Sequence, residues 1–193
     1  SIVLQTPKTL YAVRDPWGVR PLHLGRLNGS FLIASETCAF NIVNATLTRE
    51  VQPGEILAID SRGVRTVGQM PAPVQAHCVF EYVYFARPDS HIFGKSVYEV
   101  RRELGRQLAR EAPAKADIVV AVPDSASVAA MGYAEESGLP LEMGLIRSHY
   151  KGRTFIEPKQ SIRDFGARMK YAAVVEALKG KRVVLVDDSI VRG

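Results

Sequence analysis

The residues best placed to do chemistry are two adjacent acids, Asp187 and Asp188. They follow the apolar run Val183–Val186 and precede Ser189, Ile190, Val191, Arg192 and Gly193. A buried strand that runs straight into carboxylates delivers them to the carboxyl edge of a sheet, where open parallel sheets bind ligands. Successive strand residues point to opposite sides, so the two acids need not share one role. Carboxylates there can hold sugar hydroxyls or, through water, a hard Mg²⁺ ion. The backbone N–H groups that follow can cradle a phosphate at a helix start. The acid pair alone fits two further readings equally well: Asp188 as a plain helix N-cap, and a phospho-acceptor aspartate pair.

Other reactive side chains carry less. His23, His77, His91 and His149 are scattered without metal-ligand spacing. Cys38 and Cys78, forty positions apart, cannot make a disulfide-dense scaffold and fit a reducing, cytoplasmic compartment. Gly94-Lys95-Ser96 ends like a nucleotide-binding P-loop, but that motif needs a glycine where Asp89 stands and a buried strand before it. Ser96 reads better as a helix cap.

The elements that must position the acids change character along the chain. Tyr11–Arg14, Val19–Leu24, Phe31–Ala34, Glu55–Ile59 and Val64–Val67 read as strands of an antiparallel sheet. The Asp15-Pro-Trp-Gly18 turn, the Asn28-Gly29 hairpin signal, Gln52-Pro-Gly54 and Asp60-Ser-Arg-Gly63 separate them. Residues 68–76 hold two prolines and no charge and mark a domain boundary between residues 1–70 and 77–193. Beyond it, Ser96 and Glu99 form a capping box. Val97, Val100, Leu104 and Leu108 recur at helical spacing. Asp117–Val122 and Arg182–Val186 read as buried strands, Leu141–Ile146 as a shorter apolar stretch, and 125–137 and 161–178 as helices, the first ending at Gly138 and the second with a basic face. Strands alternating with helices imply a parallel sheet covered on both sides. The expected class is therefore antiparallel β in an α+β part, followed by α/β. Ser1 opens inside an apolar run without an initiator Met, and Gly193 falls just after a strand; the chain reads as an internal fragment.

Composition narrows the partners. The 193 residues are 47% hydrophobic and 23% charged, so wholesale disorder is excluded. No apolar run approaches the length that spans a bilayer, and nothing suggests a base-reading or stacking platform for nucleic acid. The net charge of +5 is lopsided: residues 145–193 hold eleven Lys/Arg against five Asp/Glu, whereas residues 1–144 hold fourteen against fifteen. A basic region of this kind attracts an anion or is simply a solvated face.

The longer string Val183-Val-Leu-Val-Asp-Asp-Ser-Ile-Val-Arg-Gly193 resembles the phosphoribosyl-pyrophosphate (PRPP) motif of type I phosphoribosyltransferases, whose two following threonines this chain lacks. Phe80-Glu-Tyr-Val-Tyr-Phe-Ala-Arg-Pro-Asp-Ser90, Gly152-Arg-Thr-Phe-Ile156 and Ala34-Ser-Glu-Thr-Cys-Ala-Phe40 narrow the likeness. Together, in order and over essentially the whole chain, they resemble the amidophosphoribosyltransferases, the glutamine-dependent enzymes that open purine synthesis.

The resemblance implies the last part of an N-terminal-nucleophile glutaminase domain in residues 1–70 and the first part of a phosphoribosyltransferase domain in 77–193. The family's catalytic cysteine would lie upstream of Ser1, so no catalytic residue of the glutaminase is expected here, and the fragment by itself is expected to be inactive. The implied reaction takes ammonia from glutamine and uses it to displace pyrophosphate from PRPP, giving 5-phosphoribosylamine. Asp187 and Asp188 match the acids that bind ribose and Mg²⁺. Ser189, Ile190, Val191, Arg192 and Gly193 match the start of the 5′-phosphate loop. Val122-Pro-Asp-Ser125 matches the pyrophosphate-side loop, with Ser125 at a further Mg²⁺-associated position; its plain alternative is a helix N-cap. Arg147–Phe155 match a loop that closes over PRPP, with Tyr150, Lys151 and Arg153 as its ligand contacts. Cys78 matches the first ligand of a [4Fe–4S] cluster found in one branch of the family; its alternative is a buried thiol. Such a cluster needs four thiolates, so the other three ligands would lie outside this chain. Cys38 has no matching role and is expected in the core. The resemblance also implies a homo-oligomer inhibited by purine nucleotides. A rival reading is a non-catalytic regulator that binds PRPP or nucleotide on a phosphoribosyltransferase fold; the glutaminase-like strings in 1–67 argue against it.

Overall fold

The computed structural model describes residues 1–71, 74–148 and 170–190. The chain forms two compact units, Ser1–Tyr98 and Glu99–Gly193.

The first unit is antiparallel. Strands β1 (Ile2–Gln5), β2 (Leu10–Val13), β6 (Glu55–Asp60) and β7 (Gly63–Gln69) make one sheet in the order β1-β2-β6-β7. Strands β3 (His23–Leu27), β4 (Ser30–Ala34) and β5 (Thr46–Glu50) make another in the order β4-β3-β5. Ala12, Leu22, Val51 and Leu57 form their buried cluster, with Ile33 and Val64 against it. The β3–β4 turn is the Asn28-Gly29 hairpin the sequence signals: both residues have positive φ, 48° and 84°, as a two-residue turn of this hand requires. The short helix α1 (Cys38–Ile42) buries Cys38 and Phe40.

The strand expected over Val19–Leu24 starts only at His23. The reason is Arg14, whose side chain is 2% exposed. Its guanidinium donates to the carbonyls of Gly18, Arg20 and Val51 and pairs with Glu50 at 2.9 Å. The Val19 N–H goes to the Asp15 carboxylate, and Pro21 has no N–H to give. The Gly18 and Arg20 carbonyls and the Val19 N–H are thus satisfied without a ladder.

Glu55 is a second buried charge. Arg49 grips it with two hydrogen bonds of 2.7 Å, Thr66 Oγ1 donates at 2.6 Å and the Gln52 N–H at 2.9 Å. The Arg49 bonds outweigh the burial cost, and the Glu55 carboxyl is lowered to about 2.

Residues past the proline-rich segment also belong to this unit. The Ala76 and Cys78 N–H groups donate to the Trp17 and Val19 carbonyls. A π-helical turn, Glu81–Phe85, then leads to the short strands β8 (His91–Ile92) and β9 (Lys95–Ser96). Ala86, Ile92 and Val97 form a further buried cluster. Gly94-Lys95-Ser96 therefore lies in a tight hairpin, not in a phosphate loop between strand and helix.

In the second unit, β10 (Ile118–Ala121) pairs in parallel with β13 (Val183–Val186), in register from Ile118 with Val183 to Ala121 with Val186. Helices α2 (Val97–Glu111) and α3 (Ser127–Ser137) pack on one another, and α3 packs on the strand pair. Ala109, Val119, Ala130, Tyr133, Ala134 and Val186 form the core. Of the apolar residues at helical spacing in α2, Val97 is buried but the leucines are not. Leu104 and Leu108 are 45% and 42% exposed, while Arg101, Gly105 and Ala109 are buried. The helices meet through glycines: a Cβ on Gly105 would run into the Ala129 carbonyl, and one on Gly132 into the Arg102 carbonyl. Leucine cannot occupy a seam that close. Arg102 and Arg106 reach Glu135, and Arg110 reaches Glu136, so ion pairs flank the seam.

Two further expectations are corrected. Of the helix expected over 161–178, residues 161–169 lie outside the described residues. Tyr171–Ala173 is a strand, β12, paired antiparallel with β11 (Leu145–Arg147), and Val175–Leu178 (α4) is helical. β10 is buried on both faces, but β13 on one: Val184 and Val186 turn into the core while Val183 and Leu185 stay 39% and 58% exposed.

Two measurements follow. Gly132→Ala in the full-length protein lowers stability by about 3 kcal/mol, because neither backbone can yield; the urea midpoint falls at unchanged slope, and an unmoved midpoint contradicts the seam. Glu55 titrates near 2 when folded, below the roughly 4.3 of an unfolded glutamate. Its contribution is complete above the unfolded value and is lost as pH falls toward the folded one. Acid titration of stability is therefore flatter across that window for Glu55→Gln than for wild type.

Candidate functional site

The parallel pair fixes where the site residues emerge. Asp117 and Arg182 lock its amino-terminal end: the Arg182 N–H and guanidinium donate to the Asp117 carboxylate at 2.8 Å each, and the Asp117 N–H returns to the Arg182 carbonyl. At the other end the Val122 N–H donates to the Val186 carbonyl at 2.8 Å. The segments that follow β10 and β13 therefore leave side by side. One is Val122–Ala126; the other is Asp187–Ile190.

Asp187, Asp188, Ser189 and Ser125 are thus gathered at one edge. The Asp188 N–H donates to Asp187 Oδ1 at 2.8 Å, and Ser189 Oγ donates to Asp188 Oδ1 at 2.6 Å. Partial desolvation pushes the Asp187 carboxyl above its usual range, opposed by the Asp188 N–H; the Asp188 charge raises it further, and Lys170 opposes. Ile190 is 93% exposed and lies in the segment, Ser189–Gly193, expected to receive the 5′-phosphate. Ser125 is not the helix cap: α3 starts at Ser127, Ala126 holds the cap position, and no side chain caps it. The Pro123–Asp124 peptide beside it is cis. Val191, Arg192, Gly193, Tyr150, Lys151 and Arg153 lie outside the described residues.

Arg147 and Asp124 enter the sequence analysis only inside longer loop strings, with no role of their own, and Lys170 does not enter it. Arg147, at the end of β11, pairs with Asp124, and its Nε is buried with no partner among the described residues. Lys170 precedes β12 and lies within electrostatic reach of Asp187; its carbonyl accepts the Ser148 N–H at 2.7 Å. Only the β11–β12 pairing shows that these cations meet the acids.

Cys78 belongs to the other unit. It is half-buried, and its N–H and carbonyl bond to Val19 and Glu81. Cys38 is buried in the core as expected, with its thiol directed at Glu36. Among the described residues no group of three or more His, Cys, Asp or Glu could hold a metal ion, and no helix is long and apolar enough to cross a membrane.

Antiparallel sheets followed by a parallel pair that ends in paired acids are what the resemblance implies for the end of a glutaminase domain and the start of a phosphoribosyltransferase domain. Solved structures agree. The chain superposes on a glutamine PRPP amidotransferase from B. subtilis complexed with ADP and GMP, with a TM-score of 0.88 and 48% identity over 98% of this chain and 42% of that one. A structure titled as the allosteric regulatory enzyme of purine biosynthesis matches with the same TM-score and identity, over 41% of its chain. Among curated proteins, the amidophosphoribosyltransferase of Mycobacterium tuberculosis is 56% identical over 96% of this chain. The chloroplastic enzyme of Glycine max is 54% identical over all of it. No protein-family model matches. The chain belongs to the amidophosphoribosyltransferase family, and it spans about a third of the length of these curated relatives (34% and 35%).

Asp187 gives this edge a stability signature. Its raised carboxyl means the folded state holds a proton more tightly than the unfolded chain, so its burial cost appears as pH rises through the folded value and persists above it. Asp187→Asn therefore leaves stability at neutral pH unchanged or higher. A clear loss of thermal stability contradicts this.

Proposed function

We propose that this chain is the PRPP-binding part of an amidophosphoribosyltransferase that makes 5-phosphoribosylamine from PRPP and glutamine, releasing pyrophosphate and glutamate. One observation carries the reading: Asp187, Asp188 and Ser189 leave β13 beside the Val122–Ser125 loop, in a chain alike to such enzymes from end to end.

The ammonia nitrogen lone pair forms the new bond to carbon 1 of the ribose as the bond from that carbon to a pyrophosphate oxygen breaks; the ammonium product then loses a proton to water. Asp187 and Asp188 accept hydrogen bonds from the ribose hydroxyls and so aim carbon 1. Ser189–Gly193 receive the 5′-phosphate on their N–H groups. Ser125 and the Arg147 guanidinium stand on the pyrophosphate side, and Tyr150, Lys151 and Arg153 come from the segment that closes over PRPP and excludes water. The hard oxygens of Asp187, Asp188 and Ser125 suit Mg²⁺, bound through water and substrate oxygens rather than by a protein cage. When bound, Mg²⁺ neutralises charge on the departing pyrophosphate.

The iron–sulfur cluster does not fit these residues alone. Four thiolates hold a [4Fe–4S] cluster; this chain has Cys78 and the core residue Cys38. Cys78 is proposed as one ligand, with the others from outside this stretch. Purine nucleotides share the 5′-phosphoribose half of PRPP and are proposed as inhibitors, and a homo-oligomer as the working state. A bacterial host would place the protein in the cytoplasm; the soybean relative is named chloroplastic, so a plant host would place it in the plastid.

The test is glutamine- and PRPP-dependent pyrophosphate release by the full-length protein. Asp187→Asn and Asp188→Asn each lower kcat/KM about a hundredfold or more. Tight PRPP binding without pyrophosphate release would favour a regulator and sink the enzyme reading.

A further inference from the structure

We propose that Asp124 is a built-in placeholder: in the unliganded protein its carboxylate occupies Arg147, and the pyrophosphate group of the ligand displaces it. This rests on reading the edge as the PRPP site.

Arg147 is brought to that edge by β11, whose last pairing joins Arg147 to Tyr171. One terminal nitrogen donates to Asp124 Oδ2, and Nε is buried with no partner among the described residues. A guanidinium offers five N–H donors in a rigid fork. A buried donor left unpaired costs free energy, so a single carboxylate oxygen under-uses this cation. A pyrophosphate, with several oxygens, can take both the nitrogen that Asp124 holds and the idle Nε–H.

Asp124 is suited to let go. Its side chain is 62% exposed, against 36% for Arg147, so water resolvates the carboxylate once it is released. It sits in the loop after β10, one residue before Ser125, where the pyrophosphate would lie. A carboxylate held on this cation repels an incoming anion. The exchange breaks one ion pair and makes another; no covalent bond changes.

The experiment is calorimetric titration of inorganic pyrophosphate with Mg²⁺ into the full-length wild type, Asp124→Asn, Asp124→Ala, Arg147→Gln and the Asp124→Asn/Arg147→Gln double variant. Removing the carboxylate tightens binding about two- to fivefold, the range of an exposed ion pair. Arg147→Gln weakens binding, and the Asp124 effect disappears in its background. Asp124 variants that bind pyrophosphate equally or more weakly overturn the proposal, as does a tightening that persists without Arg147. PRPP titrations of Asp188→Asn separate this from the reading beneath it. Undiminished PRPP binding there sinks the site itself, whereas failure of the placeholder leaves that loss intact and removes only the Asp124 effect. A wild type that binds neither ligand overturns both.

Discussion

Everything proposed for the second unit depends on the parallel pairing of β10 with β13. The Asp117–Arg182 pair at its start is largely solvent-exposed and contributes little by itself. What sets the register is burial. Val184 and Val186 turn into the core beside Val119 and Ala121. A slip of one residue would turn Val183 and Leu185 inward and send both acids to the wrong faces. Because the register holds, the chain leaves the sheet at Asp187 just where it leaves β10 at Val122. The site is a consequence of where two hydrophobic runs stop.

The first unit solves a different problem, satisfying buried polar groups without regular ladders. Arg14 replaces several backbone partners with one guanidinium, which only a planar fork of donors can do. Glu55 is the acidic counterpart, held by Arg49, Thr66 and a backbone N–H. Such pairs contribute little net stability when complete and cost several kcal/mol when half is removed. They define the course of the loops around them.

The sequence made the local signals legible. Asn28-Gly29 requires a tight turn and Val183–Val186 a strand, and both stand in the structure, with the two acids directly after that strand. Non-local geometry was not legible. The α2 stripe of leucines looked like the core face because periodicity cannot show that Gly105 and Gly132 bring two backbones together. Tyr171–Ala173 is a strand because β11 is there to pair with it. Arg147, Asp124 and Lys170 are separated in sequence by strands and loops, and no spacing rule joins them. Beyond the proline-rich segment, the Cys78 N–H bonds back to the Val19 carbonyl, a contact composition cannot reveal.

The most direct test of the central claim is a crystal structure of the full-length protein with PRPP and Mg²⁺. The account predicts ribose hydroxyls on the Asp187 and Asp188 carboxylates, the 5′-phosphate on the N–H groups of Ser189–Gly193, and pyrophosphate beside Ser125. A sugar phosphate bound away from the carboxyl edge of β10 and β13, with the acid pair left to solvent, would contradict it.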